Sequence, residues 1–204
     1  ESRTGYRQHP QFAQIYGDGY VIFFEGGKHR FRVKDPTTEA ERLVSAKELY
    51  EEAFALLQKQ RPPAEAIELL DQAIAYHPAF GDPYVLKSYI YLDLVPRLDD
   101  ALAAANLAVK HAPENPDSHF TLGLIWQRKG RFPEAERAFQ QALAVNPRYR
   151  DVYLALGDLY ADSLKDTSKA VEAYRRYVET GGTDPRAKIM VEQPGVSPRT
   201  PDHP

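Results

Sequence analysis

Between residues 39 and 180 apolar side chains return every three or four positions, the spacing of one face of an α-helix, and short polar turns cut the runs apart. Three runs end alike: "AIAYHP" at Pro78, "AVKHAP" at Pro113 and "ALAVNP" at Pro147, separated by 35 and 34 residues. Ala73, Ala108 and Ala142 precede these prolines at a constant offset, and Ala66, Ala101 and Ala135 recur one further step back. A fourth run carries Ala170 and Tyr174 and stops at Gly181-Gly182, where glycine replaces proline as the helix terminator. This period predicts stacked helix pairs, none of which can bury its apolar face alone.

The opening stretch "YVIFFEGGKHRFRV", residues 20–33, follows a different rule. It alternates, favours aromatic and β-branched residues, and breaks at Gly26-Gly27, which predicts a two-residue hairpin. That turn sets Glu25 opposite Lys28, Ile22 opposite Phe31 and Tyr20 opposite Val33. Tyr20, Ile22, Phe24, Phe31 and Val33 share one face; the other pairs Phe23 with Arg30 and Val21 with Arg32. A lone hairpin is marginal in water, so it is expected to dock. Capping of the first helix pair and contact with a partner through Phe23, Arg30 and Arg32 are both consistent with the pattern.

The third helix-pair run, "SHFTLGLIWQRKGRFPEAERAFQQALAVNP", and the start of the fourth, "DVYLALGDLYADS", resemble the tetratricopeptide repeat. His119, Leu122, Gly123, Trp126, Gly130, Phe132, Ala135, Phe139, Ala142 and Pro147 fill the family's columns, with His119 the poor fit. Leu156, Gly157 and Tyr160 repeat three of them. The second unit keeps Tyr84, Ser88, Tyr91, Ala101, Ala105 and Ala108, has Lys87 in place of leucine, and carries one extra residue assigned near Pro96. The first keeps Leu49, Ala53, Ala66, Leu70, Ala73 and Pro78, with Pro62-Pro63 inserted in its turn. The resemblance implies an all-α, right-handed solenoid of about four helix pairs behind an N-terminal β-hairpin arm. Its expected divisions are an arm at 1–36, repeats over 37–183 (about 44–80, 81–115, 116–149 and 150–183), a capping helix at 184–193 and a proline-rich tail at 194–204.

The resemblance further implies that the first helix of each unit lines a concave groove. The groove residues are then Tyr50, Phe54 and Leu57; Val85, Tyr89 and Leu92; Phe120, Leu124 and Gln127; Leu154, Asp158 and Asp162. This row is apolar and aromatic at its N-terminal end and acidic at its C-terminal end. Tyr50, Phe54, Val85 and Phe120 stand where some family members clamp a C-terminal carboxylate, so no such clamp is expected. The competing frame places Tyr50, Phe54 and Tyr89 in the core.

Composition changes this picture little. The 204 residues are 43% hydrophobic and 27% charged, with a net charge of −3, and no strong field calls for nucleic acid or an anionic membrane. The apolar runs are too short to span a bilayer. With no cysteine, disulfides and thiolate metal sites are excluded. The missing cysteine and initiator methionine favour an extracytoplasmic chain and leave the cytoplasm open. His9, His29, His77, His111, His119 and His203 show no metal-ligand spacing, and "GDG" and "EGG" do not open into a phosphate loop. No catalytic residue, metal or cofactor is expected. The predicted role is a protein–protein interaction scaffold or adaptor; the alternative is a permanent structural subunit of a large envelope, secretion or electron-transfer assembly. Gly123→Leu is expected to be severely destabilising, because the helices of the third unit leave no room there.

Overall fold

The computed structural model describes residues 38–193 and, ahead of them, the backbone of three short strands. The chain divides into two compact units, residues 1–83 and 84–204. In the first unit, strands β1 (Phe12–Ile15), β2 (Tyr20–Glu25) and β3 (Lys28–Val33) run antiparallel in that order, with Tyr20 opposite Val33 and Glu25 opposite Lys28. The Gly26-Gly27 turn, the side chains of Phe23, Arg30 and Arg32, and the tail at 194–204 lie outside the described residues.

Helices α1 (Glu39–Gln58) and α2 (Pro63–Tyr76) complete the first unit. Thr38 starts α1 with a reciprocal cap: its hydroxyl accepts from the Glu41 amide at 3.2 Å, and the Glu41 carboxylate accepts from the Thr38 amide at 3.0 Å. Pro63 opens α2, where its lost amide proton costs nothing. Ala46, Leu49 and Ala73 form the buried seam between the two helices, backed by Leu69, Tyr76 and Phe80.

In the second unit, α3 (Asp82–Tyr89) pairs with α4 (Leu98–His111), α5 (Pro116–Arg128) with α6 (Phe132–Val145), and α7 (Arg150–Asp158) with α8 (Thr167–Glu179); α9 (Pro185–Glu192) follows. Small residues set the closest approaches. Ala101, Ala105, Ala108, Ala135, Ala142 and Ala170 are fully buried, as are Ser88 and Phe139. An ideal Cβ on Gly123 would stand 2.5 Å from the Phe139 ring, and one on Gly157 would collide with Tyr174. One continuous core runs from Ala135 and Phe139 through Val152 and Leu159 to Tyr174, Tyr177 and the Ala187 and Met190 side chains of α9.

The extra residue of the second unit is not in the turn near Pro96. It is taken up inside the helix, as a π-helical turn over Ile90–Leu94, with the Val95 amide donating to the Ile90 carbonyl at 2.8 Å. The fourth unit does the same over Leu159–Ser163, where the Leu164 amide donates to Leu159 at 3.0 Å. Equivalent carbonyls make the comparison direct. Trp126 accepts from Arg131, five residues on, whereas Tyr91 accepts from Arg97 and Tyr160 from Asp166, each six residues on. In the third unit Gly130, at φ +72°, closes the regular exit in the left-handed conformation that glycine adopts without strain.

Candidate functional site

The first helices of the second unit lie side by side, and the side chains joining them are polar as well as apolar. The Tyr149 hydroxyl, just before α7, donates to the Asp117 carboxylate at the start of α5. Thr121 donates to the Asp117 carbonyl at 2.7 Å, and its hydroxyl lies beside that of Tyr89 at the end of α3. Burial, countered by the Thr121 hydroxyl and reinforced by Asp117, Asp93 and Asp151, pushes the Tyr89 hydroxyl up to about 12. Burial and the Asp117 carboxylate likewise raise Tyr149. Both phenols therefore stay protonated donors throughout the physiological range.

Further along the same helices, Arg128 of α5 donates to the Leu92 carbonyl at 3.2 Å and to Asp93 at 2.8 Å, tying α5 to the first π-helical turn. Beside this pair is a cleft of about 440 Å³ lined by Leu92, Asp93, Leu124, Gln127, Arg128 and Ser163. Both π-helical turns thus border it, Leu92 and Asp93 from one and Ser163 from the other. Asp158 accepts from the Tyr174 hydroxyl at 2.7 Å and lies 3.7 Å from the Arg186 guanidinium. Burial raises its carboxyl above the ordinary range; Tyr174 and Arg186 oppose that shift, and Asp162 and Asp184 add to it.

The expected groove residues fall as follows. In the first unit Tyr50 is half-buried with its ring edge-on to Phe80 at 5.7 Å, and Phe54 is 46% exposed. In the second, Val85 is buried at 8%. Tyr89, Phe120, Leu124 and Leu154 are half-buried, and Phe120 packs 5.2 Å from Tyr149. Leu92 is buried, while Gln127 and Leu124 reach the cleft. Sequence reasoning missed Asp93, Asp117, Tyr149 and Asp151. One signal was available: Asp82, Asp117 and Asp151 recur at the spacing of the unit-ending prolines.

Among the described residues no group of three or more His, Asp or Glu is arranged to hold a metal ion, and no helix is long and apolar enough to cross a membrane. His111 stacks on Tyr84 at 5.2 Å, and the His119 ring nitrogen lies 2.9 Å from the Pro113 carbonyl.

Comparison with protein families matches the tetratricopeptide repeat at residues 50–118, 95–135 and 120–185. Anaphase-promoting complex subunit 3 of Schizosaccharomyces pombe is 24% identical over 117 residues; the match covers 57% of this chain but only 17% of that protein. Among solved structures, the Pseudomonas aeruginosa protein pilF superposes with a TM-score of 0.63 at 19% identity, covering 71% of this chain and 65% of that one. The MamA protein superposes with a TM-score of 0.58 at 16% identity, covering 72% and 76%. At these identities the structural likeness establishes the fold alone.

Proposed function

Because this chain belongs to the tetratricopeptide repeat family, whose members generally mediate protein–protein interaction and complex assembly, we propose that it is a non-catalytic scaffold that holds another protein. The partner segment lies across the first-helix face of α3, α5 and α7. The observation that carries this reading is the surface itself: Tyr89, Phe120, Leu124 and Leu154 are half-buried apolar or aromatic side chains on neighbouring helices, next to an open cleft. Such surfaces gain by covering an apolar partner. Val85 is a further candidate contact of the second unit, and Tyr50 and Phe54 are candidate contacts of the first unit taken by itself. The N-terminal arm, with Phe23, Arg30 and Arg32, supplies a second contact.

A permanent structural subunit of a larger assembly is the second reading. It is favoured by the similarity to a subunit of the anaphase-promoting complex. Affinity capture from the source organism, comparing the parent chain with Leu124→Asn, tests the first reading. A partner retained by the parent and lost by a folded variant is expected. Equal retention by both would overturn the assignment of the face. An original partner that stays bound through incubation in fresh lysate would favour the permanent subunit.

A further inference from the structure

The first-helix face is far from neutral, although the whole chain carries only −3. Asp93, Asp117, Asp151, Asp158 and Asp162 all lie along α3, α5, α7 and their π-helical turns. Asp93, Asp117 and Asp151 converge electrostatically on the Tyr89 hydroxyl, and Asp162 bears on Asp158. The cations nearby are engaged: Arg128 by Asp93 and the Leu92 carbonyl, Arg150 by Asp151 at 3.4 Å, Arg186 by Asp184 at 3.0 Å and by Asp158, while Lys87 lies over the Tyr91 ring. Half-buried aromatic rings stand among the carboxylates, Phe120 and Tyr149 only 5.2 Å apart.

The cleft at the other edge of this face is bounded by two π-helical turns, each holding one residue more than the third unit has at that place. Such insertions concentrate at functional sites, since they disturb helix geometry without helping it pack. We infer that the occupant of this face is a partner-protein segment carrying lysine or arginine side chains between apolar ones. A carboxylate beside an aromatic ring attracts a cation twice, by its charge and by the ring quadrupole. An acidic segment meets more carboxylates than cations along these helices and is disfavoured. The apolar side chains of the segment rest on Leu124 and the walls of the cleft. The inference rests on the reading of this face as the partner-binding surface.

The test uses two fluorescein-labelled peptides, one of three Arg-Leu-Ser units and one of three Glu-Leu-Ser units. Each is titrated with the full chain by fluorescence anisotropy, at low salt and again well above physiological salt. The Asp93→Asn/Asp151→Asn/Asp162→Asn variant changes only exposed carboxylates of the face. A Glu68→Gln/Asp71→Asn/Glu192→Gln variant removes the same charge from exposed positions on α2 and α9. The arginine peptide is expected to bind and the glutamate peptide not. Binding should weaken about tenfold in the face variant, hardly at all in the control, and fall with salt. Equal binding of both peptides, no binding of the arginine peptide, or an unchanged affinity in the face variant overturns the inference. A native partner that is lost with Leu124→Asn but indifferent to the three aspartates sinks the charge inference and leaves the face standing. A partner indifferent to both sinks the reading of the face itself.

Discussion

Replacing Gly123 with alanine adds a single methyl group, and the structure sets its cost. The new Cβ would lie 2.5 Å from two carbons of the Phe139 ring and 3.1 Å from a third. Carbon atoms in comfortable contact stand about 3.5–4.0 Å apart, so ring and helix must separate by about 1 Å. Phe139 is fully buried and also packs 5.9 Å from Phe120, which leaves it nowhere to go without moving α6. Overpacking of this kind costs about 1–3 kcal/mol, and the upper half of that range applies to a ring hemmed in on both sides. Alanine returns about 1 kcal/mol through its better helix propensity. The net expectation is a loss of about 1–2 kcal/mol. Trp126, the single tryptophan, sits one turn along the same helix, so its fluorescence in a urea titration reports on this repeat directly. Repeating the substitution in a Phe139→Leu background closes a double-mutant cycle. With the ring gone, Gly123→Ala should become neutral or stabilising, a coupling of about 1–3 kcal/mol. A stabilising Gly123→Ala in the parent, or a coupling of zero, would refute the close-approach argument.

Thr38→Ala removes the reciprocal cap of α1 and should cost about 1 kcal/mol in the same titration followed by circular dichroism. Asp158→Asn should alter the pH dependence of stability. Because the folded carboxyl is raised above its ordinary value, mainly by burial, its stabilising contribution is present below the ordinary carboxylate range and lost as pH rises through the raised value. The parent should therefore compare more favourably with the variant in acid than at neutral pH; a difference independent of pH would count against the buried carboxylate. Arg176→Gln breaks two exposed ion pairs, to Glu172 and Glu179, and should change stability by no more than about 0.5 kcal/mol. Deleting Leu94 removes the extra residue of the first π-helical turn, where it is 54% exposed, and should leave the chain folded, whereas deleting the fully buried Ile125 should not; circular dichroism separates the two outcomes.

The repeat was legible in the sequence because its signal is steric and periodic. Ala135, Ala142 and Gly123 must be small wherever two helices touch, and that demand returns with each unit. The π-helical turns were not legible. An extra residue absorbed within a helix changes hydrogen bonding from four residues to five but leaves the amphipathic pattern nearly intact, so the visible breaker, Pro96, is the only local sign of a surplus. Asp158 and Asp162 stand out in the sequence as acidic residues at repeat positions. The pairing of Tyr149 with Asp117, 32 residues away, was not, because it depends on how successive first helices meet rather than on local spacing. Nor could the sequence show that Val85 is buried while Phe54 is 46% exposed.

The proposed partner protein would lie on the face formed by α3, α5 and α7. Site-specific photocross-linking addresses it most directly. A photoreactive phenylalanine analogue is placed at Leu124, on that face, and in a second protein at Leu107, which is 40% exposed on the second helix α4. Both proteins are irradiated in extract from the source organism. A discrete cross-linked partner is expected from position 124 and none from position 107. A partner captured from 107 and not from 124 would contradict it.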